Sequence, residues 1–193
     1  MKKETRILNV ELRTPENDED KMIIEGYAVT FNSPATHGYT EIISDTALDN
    51  TDMSDVPLKY NHEDSHLIMA RTRNKSLELK KDEKGLLIKA ELIDTQSNKD
   101  IYKSIKAGLI DKMSFAFTVR ADEYDYDTDT RTITDIDKLY DVSVVDMPFY
   151  DSTSVYARSE DDDFMERRAE IRKEHEAKAE LIKAKEALLA KLG

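Results

Sequence analysis

The sequence predicts a mainly β domain over residues 1–158, joined to a charged C-terminal helix over residues 159–193. Three observations carry that expectation. Short runs rich in β-branched and aromatic residues recur through the first part, with side-chain character alternating at every second position. Polar or glycine-containing turns separate these runs. From Ser159 onward proline and internal glycine vanish, and Ala, Glu, Lys and Leu dominate, as a long helix requires.

Taken in order, TRILNVELR and MIIEGYAVTF read as strands separated by the polar loop PENDEDK. VPLKYNH is an apolar run that forms a strand ending at His62. SLELKKDEKGLLIKAELI alternates on both sides of KKDEKG, a hairpin signal with Gly85 in the turn region. KDIYKSIKAGLI sets Ile101, Ile105 and Leu109 at helical spacing, with Gly108 near the helix end. KMSFAFTV follows as a strand whose Met113, Phe115, Phe117 and Val119 face the core. Ser114, Ala116 and Thr118 take the other face, a shallow one that could be an ordinary solvated strand surface or the floor of a cleft. ADEYDYDTDT reads as a hairpin loop before the strand RTITDI, and LYDVSVV is a further strand stopped by Pro148. In the tail, Glu160 to Asp163 suit a helix N-terminus and Lys191 its C-terminus. Ile171, Leu181, Leu188 and Leu192 form a thin apolar stripe, which fits either a solvated helix or a partner-binding, coiled-coil arm.

Composition narrows the function. With 193 residues the chain can bury a sizeable core. A net charge of −12 argues against generic binding to nucleic acid, which needs clustered lysine and arginine. No apolar run approaches the ~20 residues needed to span a bilayer. MKKETRILNVEL lacks the apolar stretch of a signal peptide, so the expected site of action is the cytoplasm or an assembly formed there. The absence of cysteine excludes thiolate nucleophiles and Cys-ligated metals. Covalent catalysis would need an oxygen or nitrogen nucleophile.

Two constellations of residues could carry chemistry, and both use His62. HEDSH, residues 62–66, fits H-E-x-x-H, which on a helix sets two imidazoles on one face for zinc with Glu63 as general base. No third ligand is evident, since His175 lies in the tail. The other constellation draws on three separate strands. Ser114 offers a hydroxyl beside small residues, His62 a proton acceptor, and Asp141 a carboxylate inside an apolar strand, where it needs a partner. In LYDVSVV, alternation groups Asp141 with Leu139, Ser143 and Val145 on one face. A neutral His62 could accept the Ser114 proton while Asp141 fixes its tautomer. Each residue alone also has an ordinary structural reading; periodicity shows that they could face one cleft, not that they meet.

EGYAVTFNSP, PLKYNHEDSHLIMAR, GLLIKAELIDT, IKAGLIDKMSFAFTV and LYDVSVVDMPFYDSTSVYAR follow one another in the order of a known family. Over residues 7–158 the chain resembles the prohead, or capsid maturation, serine proteases of tailed bacteriophages, distant relatives of the herpesvirus assemblins. The resemblance implies a herpesvirus-protease-like β-barrel ringed by a few helices. It assigns His62, rather than His66, as base and Ser114 as nucleophile. For the third member it points to Asp141, with Asp64 and Asp146 as lesser candidates. Ala116 stands where the family usually has glycine, and EIISDTALD lacks the Gly-Ala-Phe often found there. The implied activity is a serine endopeptidase, without a cofactor, that removes scaffold segments from capsid precursors and processes itself inside the immature shell. Its implied partners are the major capsid protein precursor with its scaffold segment, and a second copy of itself. The alternatives are a zinc-dependent hydrolase built on HEDSH and a non-catalytic capsid assembly or scaffolding module.

Overall fold

The architecture comes from a computed structural model, which describes residues 2–8, 12–15, 21–36, 38–64, 67–146 and 162–192. In chain order the elements are β1 (Lys3–Leu8), β2 (Met22–Thr30), β3 (Ala35–Thr36), β4 (Thr40–Ile43), β5 (Pro57–Tyr60), β6 (Ala70–Arg71) and a 3-10 turn (Thr72–Asn74). Then follow β7 (Leu77–Lys81), β8 (Gly85–Leu92), α1 (Gln96–Lys106), β9 (Lys112–Asp125), β10 (Thr130–Val145) and α2 (Asp162–Leu192). The mainly β expectation holds. One sheet runs β1-β9-β10-β4-β3, with β5 also paired to β10 and β6 to β5, and a second runs β2-β8-β7. Among the described residues these two sheets do not close into the hydrogen-bonded ring that the resemblance implies. They share one core instead, with Ile24, Leu86 and Ile88 from one sheet and Met113, Phe115 and Phe117 from the other. Phe115 and Phe117 stack with ring centroids 4.8 Å apart.

The hairpin read from SLELKKDEKG forms as β7 and β8. Gly85 opens β8 at the edge of the turn, where its carbonyl accepts from the Asp82 N–H. A Cβ there would lie 1.9 Å from the Val29 carbonyl oxygen, so glycine is required by the close approach of β2. Helix α1 is capped by the Thr95 side chain, which accepts from the Asn98 N–H, and buries Ile101 and Ile105. Its end is a Schellman motif: Gly108, at φ 72°, donates to Ile105 O, and Leu109 donates to Ser104 O. Leu109 therefore lies beyond the helix and is 72% exposed, not part of the apolar face the spacing gave it.

Strand β9 runs on through Asp125, so only residues 126–129 of ADEYDYDTDT form the turn. RTITDI and LYDVSVV are one long strand, β10, which contacts three neighbours. Four register irregularities interrupt its pairing with β9. The last, between Leu139 and Asp141, decides the site. Leu139 pairs with core-facing Phe117 and joins the core, whereas Asp141 pairs with Ala116 on the opposite face. Simple alternation groups Leu139 with Asp141; the irregularity at Tyr140 turns the carboxylate away from the core.

A buried ionic network joins β1, β4, β9 and β10. Arg6 donates to Glu4 and Glu41, and Arg131 donates to Glu4 and Glu41 and to Asp122. Burial opposes both guanidinium charges, but these carboxylates raise both arginines well above their usual range. The start of α2 closes this network. Phe164 is 5% exposed, packs on Tyr39 and Tyr124, and lies 4.4 Å from the Arg131 guanidinium. Arg168 and Arg172 pair with Asp129, and His175 stacks on Tyr126. The docked face is thus mainly aromatic and basic, at helical spacing, and of the aliphatic stripe Ile171 is half-buried. Leu181 is exposed, while Glu160 and the side chains of Leu188, Lys191 and Leu192 fall outside the described residues.

Candidate active site

Three elements converge on the face of the large sheet opposite the core. Ser114 lies in β9 between β1 and β10, directly paired with Ser143. Asp141 and Ser143 share that face of β10 because they are two residues apart, past the irregularity. His62 follows β5, whose parallel pairing brings Lys59 beside Ser143 and Tyr60 beside Val144. The chain then turns tightly. Asn61 and His62 have φ of 52° and 58°, and Glu63 N–H bonds Tyr60 O at 3.0 Å, the pattern of a type I′ turn. Such a conformation is sparsely populated without glycine and costs ~1–3 kcal/mol per residue. Asp146 steadies it by accepting from the Asn61 amide and the Tyr60 hydroxyl. Burial, then the Asp146 contact, pushes the Tyr60 hydroxyl up to about 12.

Through this turn His62 reaches both sequence-predicted partners. Its Nδ1 bonds Asp141 Oδ1, and its Nε2 lies 2.5 Å from Ser114 Oγ. Asp141 is fully buried, which on its own raises the cost of its charge. The hydrogen bond and charge of His62, with the charge of Lys3, outweigh burial and hold the carboxyl below its usual value. Lys3 Nζ, on β1, lies 3.2 Å from Oδ2, and Lys59 Nζ lies 4.0 Å from the same oxygen. An ionised carboxylate only accepts, so it assigns the proton to Nδ1 and leaves Nε2 as the acceptor facing Ser114. The Ser114 hydroxyl also has Arg6 O at 2.7 Å, giving its single proton two competing acceptors.

The shallow face expected around Ser114 is not open. Ser114 and Ala116 are fully buried and Thr118 is 2% exposed, because β9 is an interior strand and groups from β1, β10 and the His62 turn lie across it. The His62 side chain keeps 21% exposure, the most of the three.

Other candidates fall elsewhere. Asp64 is exposed and paired with Lys59 at 2.6 Å, and that hydrogen bond lowers its carboxyl's pKa below the usual value. Asp146 supports the turn from its outer side. For HEDSH, His66 lies outside the described residues, but His62 and its neighbour are in a left-handed turn and not on the helix a zinc motif needs. Among the described residues no cluster of three His, Asp or Glu side chains suits a metal ion. Ser143, Lys3 and Lys59 were missed at the sequence level. Ser143 alone left a signal there, as a second polar residue two positions from Asp141 in an otherwise apolar run.

The "Prohead protease" of Enterobacteria phage HK97 is 28% identical over 144 residues, covering 72% of this chain. The chain spans 61% of that relative's length. The solved capsid assembly protease of bacteriophage T4 is 13% identical, with a TM-score of 0.43 over 75% of this chain and 99% of the other. Among the described residues no helix is long and apolar enough to cross a membrane. The model of the caudovirus prohead serine proteases matches residues 9–168, and the chain belongs to that family.

Proposed function

We propose that this chain is a serine endopeptidase acting on capsid precursors during shell maturation, with Ser114 as nucleophile, His62 as general base and Asp141 as the orienting acid. One observation supports the reading above all: a single imidazole bonds a buried carboxylate through Nδ1 and has a serine hydroxyl 2.5 Å from Nε2. Ser114 Oγ attacks the scissile carbonyl carbon as its proton passes to Nε2. The tetrahedral species collapses, the C–N bond breaks, and the imidazolium protonates the departing amine. Water then attacks the acyl ester and gives a proton to Nε2, and the serine oxygen leaves with that proton. Asp141 remains ionised throughout and stabilises the transient imidazolium. Attack needs the carbonyl carbon ~3–3.5 Å from Oγ. Ser114 is covered, so the groups above it shift as peptide binds, and the part-exposed imidazole marks the side of approach.

The substrate assignment follows from family membership and from the name of the phage HK97 relative. The substrate is the capsid precursor with its scaffold segment, the enzyme also cuts itself and associates with its own copies, and it works inside the immature shell in the host cytoplasm. Residues 1–158 form the protease domain. Residues 159–193 are a recruiting arm, and the first turns of α2 within it dock on that domain. Co-expression with a capsid precursor, followed by mass-spectrometric mapping of new termini, tests this. Wild type generates discrete new termini, and Ser114→Ala abolishes them while its thermal unfolding stays within a few degrees of wild type. Undiminished cleavage by Ser114→Ala would end the assignment. Intact precursor with both chains, in shells that still assemble, would favour the non-catalytic module.

A further inference from the structure

The Ser143 side chain lies in the centre of the site without being needed as nucleophile, base or acid. It is fully buried and directly opposite Ser114 in the β9–β10 pairing. Its Oγ is 3.2 Å from the backbone N–H of His62, 3.1 Å from Asp141 Oδ1 and 3.2 Å from His62 Nδ1. A hydroxyl has one proton and two acceptor lone pairs. The backbone N–H of His62 can only donate, so Ser143 Oγ accepts there. The carboxylate can only accept, so the hydroxyl proton goes to Oδ1. That assignment leaves Nδ1–H to bond Asp141 as well, and places two donors on one carboxylate oxygen.

Two features make this more than a satisfied buried polar group. The residue whose N–H it fixes has φ 58°, a conformation that persists without glycine only where neighbouring contacts over-determine it. The same oxygen also touches both partners of the imidazole–carboxylate bond. One hydroxyl thereby ties the backbone of the base to the side chain of the acid.

We propose that Ser143 is a positioning residue that locks His62 in its left-handed turn and holds the Asp141 carboxylate against Nδ1, so that Nε2 stays aimed at Ser114. This rests on the serine-protease reading of the site. Without the hydroxyl the core face of β10 is untouched, since Ser143 points away from it, so the fold remains. What changes is the aim of the ring.

The experiment compares full-length wild type with Ser143→Ala and Ser143→Thr, using a fluorophosphonate probe and proton NMR. Attack by Ser114 on the probe forms an O–P bond and releases fluoride, and its maximal rate and half-saturating concentration separate chemistry from binding. Ser143→Ala is expected to lower the maximal rate about 10- to 100-fold, between losing one hydrogen bond and displacing the base by ~1 Å. Half-saturation should not move. The low-field resonance of the His62 Nδ1 proton should weaken or vanish, and Ser143→Thr, which keeps the hydroxyl, should restore most of both signals. A Ser143→Ala protein with wild-type rate and wild-type resonance overturns the proposal while the function stands. If wild type never reacts at Ser114, the function fails, and the resonance alone then decides: its loss in Ser143→Ala supports the positioning role, and its retention refutes it.

Discussion

Asp141 is where the residue-scale energetics are sharpest. A carboxylate in the middle of a buried strand is costly unless both oxygens are engaged. Here one oxygen meets His62 and Ser143, and the other meets Lys3 with Lys59 nearby. Its carboxyl is held below its ordinary value of 3.8, so it contributes stability above that pH, and the contribution disappears as pH falls through the lower, folded value. Replacing Lys3 by methionine removes one source of the lowering. Carbon-13 NMR of the Asp141 carboxyl should then titrate at higher pH, and the acid-unfolding midpoint should move upward. Because Lys3 is about half exposed, the stability change should stay below ~1 kcal/mol. An unmoved Asp141 titration would show that Lys3 is a bystander. Asp141→Asn should cut peptidase activity on the order of 10,000-fold by freeing the imidazole tautomer, read as kcat on a mapped cleavage peptide; a loss under ~10-fold would remove Asp141 from the mechanism. His62, Ser114 and Asp141 stand out through their order along the chain, and the structure brings their side chains together. The orientation of Leu139 was not, because an irregular pairing leaves no trace in a pattern of alternating residues. Asn61 did carry a faint signal for the turn, since asparagine tolerates left-handed backbone better than most residues.

At the scale of elements, β1 contributes from both faces. Lys3 reaches toward the site, while Glu4 and Arg6 enter the buried network with Glu41 and Arg131. Alternation in TRILNVELR makes Arg6 look like an outward charge, and nothing local reveals that its partners come from distant strands. Arg131→Met leaves Glu4 and Glu41 close together and short of a cation. It should cost about 3–5 kcal/mol in urea unfolding. A loss below ~1 kcal/mol would mean that water reaches the network. Gly85 is the equivalent constraint between β2 and β8. Gly85→Ala should destabilise by about 3 kcal/mol or more, since backbone and not a flexible side chain must yield; a near-neutral effect would contradict the close approach. The hairpin itself was legible because its turn and its alternation are both local. The closeness of β2 is not local, so the turn accounts for Gly85 in the sequence while its contact with Val29 leaves no signal there.

At the scale of the whole molecule, the mainly β domain and the tail helix were both legible, because periodicity and composition report on them directly. The partition into two sheets and the docking of α2 were not, since they depend on which distant elements meet. Phe164, Arg168, Arg172 and His175 recur at helical spacing against the hairpin that carries Tyr124, Tyr126 and Asp129. Phe164→Ala should lose about 3 kcal/mol of docking free energy and remove hydrogen-exchange protection from residues 164–175, whereas a chain ending at Glu176 should keep it. Unchanged protection in Phe164→Ala would mean the helix is held by other contacts. In the proposed mechanism one imidazole makes a buried hydroxyl reactive. The most direct test is mass-spectrometric peptide mapping after fluorophosphonate treatment. A single adduct on Ser114 in wild type, absent in His62→Ala, is the predicted result. An adduct elsewhere, or one on Ser114 that forms equally fast without His62, would contradict it.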